Sequence, residues 1–219
     1  MGYLLAIDTT AGTSVALIKD GRLLAQSQSE LGLKHAEQIG DAIASVFAET
    51  GIRPRILDAV AVGRGPALFT GLRVGIAAGV MFAEAAGAKL LGVVSHDAIA
   101  LSLYNLDGNL PNLPLLIHTD ARRGEVYWAL YGGLDENGIP VVLAGPSVGK
   151  YHEVAQGLRS EFGEFVDRTG GATADWVALL AELQLAAGGA SDDVSALYLR
   201  APDAAQPKPN QQFGKRVSG

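Results

Sequence analysis

The sequence predicts an α/β fold in two lobes, and three observations lead there. Apolar runs such as Tyr3 to Asp8, Leu57 to Val62 and Lys89 to Val94 suit core strands and are too short for helices. The second of these runs through a turn rich in glycine and proline, Gly63-Arg64-Gly65-Pro66, straight into a helical stretch from Gly71 to Ala86. Finally, Asn105 to Pro114 (Asn-Leu-Asp-Gly-Asn-Leu-Pro-Asn-Leu-Pro) interrupts the chain as a lobe boundary. The expected division is a first lobe over 1–104, a second over 105–203, short for its kind, and a disordered polar tail over 204–219.

In order, Tyr3 to Asp8 reads as a strand, Thr9-Thr10-Ala11-Gly12 as a turn and Ser14 to Ile18 as a second strand. Asp20-Gly21 favours positive φ and makes a hairpin into a third strand, Leu23 to Ser29. His35 to Glu49 is a helix, with Ile39, Ala42, Ile43, Val46 and Phe47 on one stripe and Gly51 after its end. Ser95-His96-Asp97 caps a helix through Leu103. Beyond the boundary, Leu115 to Thr119 and Glu125 to Tyr131 are strands around the turn Asp120-Ala121-Arg122-Arg123-Gly124. Val141 to Ala144 is a further strand, and Tyr151 to Leu158 and Asp175 to Ala187 are helices. Strand, Asp-bearing turn, hairpin, third strand and helix is how an actin-like ATPase (ASKHA, RNase H-like) fold opens.

The composition narrows the function classes. The 219 residues are 48% hydrophobic, enough for a sizeable core. A net charge of −6 disfavours unaided binding to nucleic acid, which rests on clustered Lys and Arg. The absence of cysteine excludes disulfides, thiolate metal sites and a cysteine nucleophile, and fits a reducing cytoplasm. Apolar runs stop short of a bilayer span and Met1 to Leu5 lack the features of an export signal, so neither membrane nor export is expected.

Within Gly71 to Ala86, Gly71, Gly75 and Gly79 recur every four residues with Ala78 beside them, a flat stripe on one face. Each glycine sacrifices nearly 1 kcal/mol of helix propensity, so something must need close approach to that backbone. A second helix from another chain is one answer, and the sheet of its own domain is the other. Thr70 is placed to cap this helix, whose N-terminus would be a generic anion site.

The stretch Gly63-Arg64-Gly65-Pro66-Ala67-Leu68-Phe69-Thr70-Gly71-Leu72-Arg73-Val74-Gly75 resembles the signature of the TsaB (YeaZ) family. Leu5-Ala6-Ile7-Asp8-Thr9-Thr10, Asp120 to Tyr127 and Tyr198-Leu199-Arg200-Ala201-Pro202 match its other motifs in the family's order. Ala67 and Leu68 depart from the usual Gly and Ser, which counts against phosphate binding by this turn. The resemblance implies the actin-like fold, two lobes with mixed sheets and a reduced second lobe. It further implies a non-catalytic subunit in synthesis of threonylcarbamoyladenosine in tRNA, activating the catalytic subunit TsaD. Docking would use the glycine-faced helix, with Gly71, Gly75, Ala78, Gly79 and Phe82 at the interface, and Arg122 or Arg123 pairing with a partner carboxylate. TsaE would join a ternary complex, tRNA would be reached only through the complex, and the chain alone would form a homodimer. On this reading Gly75→Leu and Gly79→Leu dissociate a folded protein.

In this superfamily the first turn holds phosphate. Here Asp8, Thr9 and Thr10 are either a nucleotide-binding remnant or structural turn residues, since Thr9 and Thr10 stand where glycine is expected. Gly170 and Gly171 are likewise a degraded second phosphate loop or a plain loop. No cofactor is required on this reading, with ATP or ADP bound weakly or at the partner interface. TsaD binds its metal through histidines four residues apart, whereas His96 has Gly92 and Ala100 at that spacing, so no metal is expected. The alternatives are an ATP-dependent phosphotransferase and, disfavoured by the missing histidine pair, a metalloprotease.

Overall fold

The computed structural model describes residues 2–29, 35–107 and 110–200. The expected tail over 204–219, the end of the last motif at Ala201-Pro202 and the side chain of His35 lie outside the described residues.

In the first lobe β1 (Tyr3–Asp8), β2 (Thr13–Lys19) and β3 (Arg22–Ser29) form an antiparallel meander, turned at Asp20 and Gly21 with φ of +49° and +74°. Helix α1 (His35–Thr50) returns the chain so that β4 (Leu57–Gly63) lies parallel to β1. Helix α2 (Phe69–Ala86), β5 (Lys89–Val93) and α3 (Ser95–Leu106) follow, giving a sheet of order β3-β2-β1-β4-β5. The second lobe repeats this plan with β6 (Leu115–Asp120), β7 (Glu125–Leu134), β8 (Pro140–Lys150), α4 (Tyr151–Phe162), β9 (Val166–Thr169) and α5 (Ala174–Ala186). Its order β8-β7-β6-β9, with β9 parallel to β6, matches the first sheet but stops one strand short. The fold is thus the actin-like α/β architecture with two mixed sheets and a reduced second lobe.

Strand β1 is buried on both sides, and its two faces feed different cores. Leu5 and Ile7 pack with Val15, Leu17, Val46 and Val60 beneath α1 and α2. Leu4 and Ala6 face a second core that continues through Leu101 of α3 and Val177 of α5 to Ile117 and Tyr131 of the second sheet. One core therefore runs across the boundary expected near residue 105, because α5 covers the first sheet, α3 covers the second, and the two helices pack on each other. Helix α4 closes the far face over Leu116 and Leu130.

Several local expectations are corrected. The glycine stripe of α2 faces its own sheet. A Cβ on Gly75 would stand 2.4 Å from Thr9 Oγ1, and one on Gly79 would stand 2.1 Å from Val62 Cγ1. The carbonyl of Gly71 accepts the Thr9 hydroxyl at 2.9 Å. Ala78 is half-buried on the same core and Phe82 stacks on Phe47 of α1 at 6.3 Å, so these five residues hold α2 to its own lobe. Helix α2 opens at Phe69, with Leu68 at the N-cap and no side-chain cap, so Thr70 lies inside the helix. Strand β9 was not expected because Val-Asp-Arg-Thr carries no apolar run. Strand β8 continues beyond Ala144 through Gly145 and Pro146, since an edge strand tolerates a residue without an N–H.

Candidate functional site

Between the lobes lies a cleft of about 600 Å³. Thr10 and Ala11 of the β1–β2 turn, Pro66 to Leu68 before α2, His96 and Ile99 of α3, and Thr119, Asp120, Arg122 and Thr169 to Gly171 line it. Thr10, Gly170 and Gly171, far apart in sequence, thus meet there with Arg122, while Asp8 and Thr9 do not reach the wall.

Asp8 ends β1 and is 1% exposed. Its carboxylate accepts the Thr10 N–H at 2.8 Å, the Thr10 hydroxyl at 2.5 Å and the Ser95 hydroxyl at 2.7 Å. Gly63 makes room for it, since a Cβ there would stand 1.8 Å from Asp8 Oδ2. Three donors on one buried carboxylate hold its charge in place. The group ties β1, its turn and α3 together and turns away from the cleft. Ser95, expected to cap α3, is instead the first residue of that helix and spends its hydroxyl on Asp8.

Across the cleft, Gly171 comes so near the first turn that a Cβ on it would stand 2.3 Å from Ala11 Cβ. The two turns between which an actin-like enzyme would hold phosphates are therefore in contact here. Arg122 and Arg123 both adopt left-handed backbone, with φ of +64° and +59°, followed by Gly124 at +74°. Side chains raise the energy of that region by about 1–2 kcal/mol per residue, so the hairpin holds only because its surroundings determine it. Asp120 supplies part of that support, accepting the Arg122 N–H at 2.8 Å and pairing with its guanidinium at 3.4 Å.

His96 is 1% exposed, and its Nε2 lies 2.9 Å from Thr119 Oγ1. Burial, helped by the charge of His118, lowers its pKa to about 3, so the ring is neutral. Its neighbour Asp97 is raised to about 6 by burial, against the hydrogen bond from the Tyr131 hydroxyl at 2.7 Å. The two shifts oppose each other in stability. The lowered His96 favours folding above its unfolded pKa near 6.5 and loses that contribution as pH falls to about 3. The raised Asp97 favours folding below its unfolded pKa near 3.9 and loses that contribution as pH rises to about 6. Between about pH 6 and 4 they cancel, at about 1.4 kcal/mol per pH unit each. Asp97→Asn removes the compensation, so its unfolding free energy should fall by about 2–3 kcal/mol more than the wild type's from pH 6 to pH 4. Urea titrations at the two pH values test this, and parallel pH dependence of the two proteins would refute it.

Among the described residues no three His, Asp or Glu side chains are grouped to hold a metal ion, and no helix is long and apolar enough to cross a membrane.

The residues that sequence reasoning missed lie on the outer side of α1 and α2. Gly40, Ala44, Ser45 and Ala48 of α1 and Ala77, Val80, Met81 and Ala85 of α2 are exposed. Val80 is 40% and Met81 71% exposed, unusual for such side chains in mid-helix. The signal was present in the helical spacing, which puts Ala77, Val80 and Met81 on the half of the helix away from the glycines, with Ala85 at its edge.

The family model for TsaD, tRNA N6-adenosine threonylcarbamoyltransferase, matches residues 29–192. The chain is 36% identical over 137 residues to the tRNA threonylcarbamoyladenosine biosynthesis protein TsaB of Escherichia coli, covering 62% of this chain and 57% of that protein. It is 30% identical over 141 residues to TsaB of Bacillus subtilis, covering 63% and 59%. The chain therefore spans little more than half the length of these curated relatives. YeaZ from Pseudomonas aeruginosa superposes with a TM-score of 0.76 at 26% identity, over 91% of this chain and all of that one. The match over most of its length, with the same fold in a YeaZ structure, places the chain in the TsaD threonylcarbamoyltransferase family, in its TsaB/YeaZ group.

Proposed function

We propose that the chain acts in the synthesis of threonylcarbamoyladenosine in tRNA as a non-catalytic subunit that docks onto TsaD and activates it. The observation that carries this reading is the outer face of α1 and α2, where small residues and the exposed Val80 and Met81 leave a flat apolar surface fit for a partner helix. This moves the expected docking surface from the glycine stripe to the opposite side of the same helix. The hairpin of Arg122 and Arg123 offers a partner carboxylate a bidentate contact. The same helical face serves a homodimer when TsaD is absent, TsaE joins at the complex, and tRNA is met through it.

The alternative, an ATP-dependent phosphotransferase, is favoured by the cleft itself. Two features speak against it: the Asp8 carboxylate is engaged by three donors and turned from the cleft, so it is not offered to a metal ion or a water, and the approach of Ala11 to Gly171 narrows the gap between the two turns. Reconstitution separates the two readings. The chain alone should make no modified tRNA and hydrolyse ATP no faster than background, and adding it to TsaD, TsaE and a supply of the threonylcarbamoyl adenylate should switch modification on. ATP turnover by the chain alone, or full modification without it, would overturn the proposal.

A further inference from the structure

The motif Tyr198-Leu199-Arg200 has no part in the function above, and the segment carrying it crosses from one lobe to the other. Beyond α5 the chain lies along β5, where the Gly92 N–H donates to the Ser191 carbonyl at 2.9 Å. A Cβ at Gly92 would stand 2.0 Å from the Asp193 carbonyl oxygen, so glycine permits this approach. Arg64, just past β4, donates from Nη1 to the Asp193 carbonyl at 2.8 Å and pairs with its carboxylate at 2.8 Å. The Leu197 N–H donates to the Arg64 carbonyl at 2.7 Å. Tyr198 accepts the Arg73 Nε–H of α2 at 2.6 Å, with the guanidinium 5.4 Å from its ring centroid.

The end of the segment belongs to the other lobe. Arg200 Nη1 donates to the Ala121 carbonyl at 3.2 Å, and the guanidinium pairs with Glu125. These contacts hold both feet of the 120–124 hairpin, whose two left-handed arginines need outside support. With side-chain exposures of 21% and 33%, the pair is shielded more than a surface ion pair.

We infer that residues 191–200 form a strap between the lobes and that Arg200 is a positioning residue, holding the Arg122–Arg123 hairpin in place at the mouth of the cleft. Its consequence for docking rests on the function proposed above, whereas the strap itself does not. The lack of cysteine makes the test direct, because spin labels can be attached at Arg123→Cys and Glu84→Cys without other changes. In the full chain alone, Arg200→Gln should broaden the distance distribution between the labels and speed amide exchange over 121–126 about tenfold, as expected for a loosened local unit. Glu125→Gln should do the same from the other side of the pair, and Arg200→Lys, which keeps a charge there, should restore most of the order. Unchanged label distances and exchange in both Gln variants would overturn the strap. Without labels, Arg200→Gln should weaken TsaD binding about tenfold and Arg200→Lys should recover it. A loosened hairpin with undiminished TsaD affinity would overturn the consequence for docking and leave the strap standing. If Ala77→Arg on α2 also leaves TsaD affinity intact, the docking reading has failed instead.

Discussion

Gly79→Leu should lower the unfolding free energy by about 3 kcal/mol or more, the upper range for forcing a side chain into a packed core. The helix lies so close over β4 that even a Cβ at this position falls 2.1 Å from Val62 Cγ1, and Val62 is fully buried in a packed core. Gly75→Leu should behave alike, since it would drive Thr9 off the Gly71 carbonyl and disturb the turn that holds Asp8. Gly157→Ala in α4 is the control, because nothing lies within 4 Å of a Cβ there and the gain in helix propensity should raise stability by about 0.5–1 kcal/mol. Urea denaturation of the isolated protein reads all three. A Gly79→Leu protein as stable as the wild type would return the glycine stripe to the partner interface.

Ala77→Arg combined with Val80→Asp should weaken TsaD binding by at least about a hundredfold, the scale of a central interface position filled with a buried charge. Both residues are exposed on the side of α2 away from the sheet, so the substitutions meet water in the free protein and should leave its melting temperature within about 2 °C. Affinity measured by calorimetry, beside a thermal melt of the variant alone, separates loss of docking from loss of fold. Undiminished affinity would place the TsaD surface elsewhere. Modification in the reconstituted system should fall with the affinity.

Most of the elements and their order were legible in the sequence because each of these has a local cause. Asp20-Gly21 bends the first hairpin through positive φ, and the apolar runs of β1 and β4 suit core strands and are too short for helices. The family, too, was carried by contiguous motifs. Periodicity could show that α2 has a stripe of glycines, but not which of its sides meets the sheet. That depended on the distance from α2 to Thr9 and Val62, residues more than a dozen positions away or on another strand. The role of Asp8 was open for the same reason, since the donor that completes its shell, Ser95, comes from a helix 87 positions further on. Strand β9 was invisible because a short edge strand with alternating half-exposed residues owes its existence to β6 beside it rather than to its own composition. What residues do along the chain is set by local sterics and the burial pattern. What they face is set by long-range packing, and here that packing turned the glycines inward, closed Ala11 on Gly171 and left Val80 and Met81 outside.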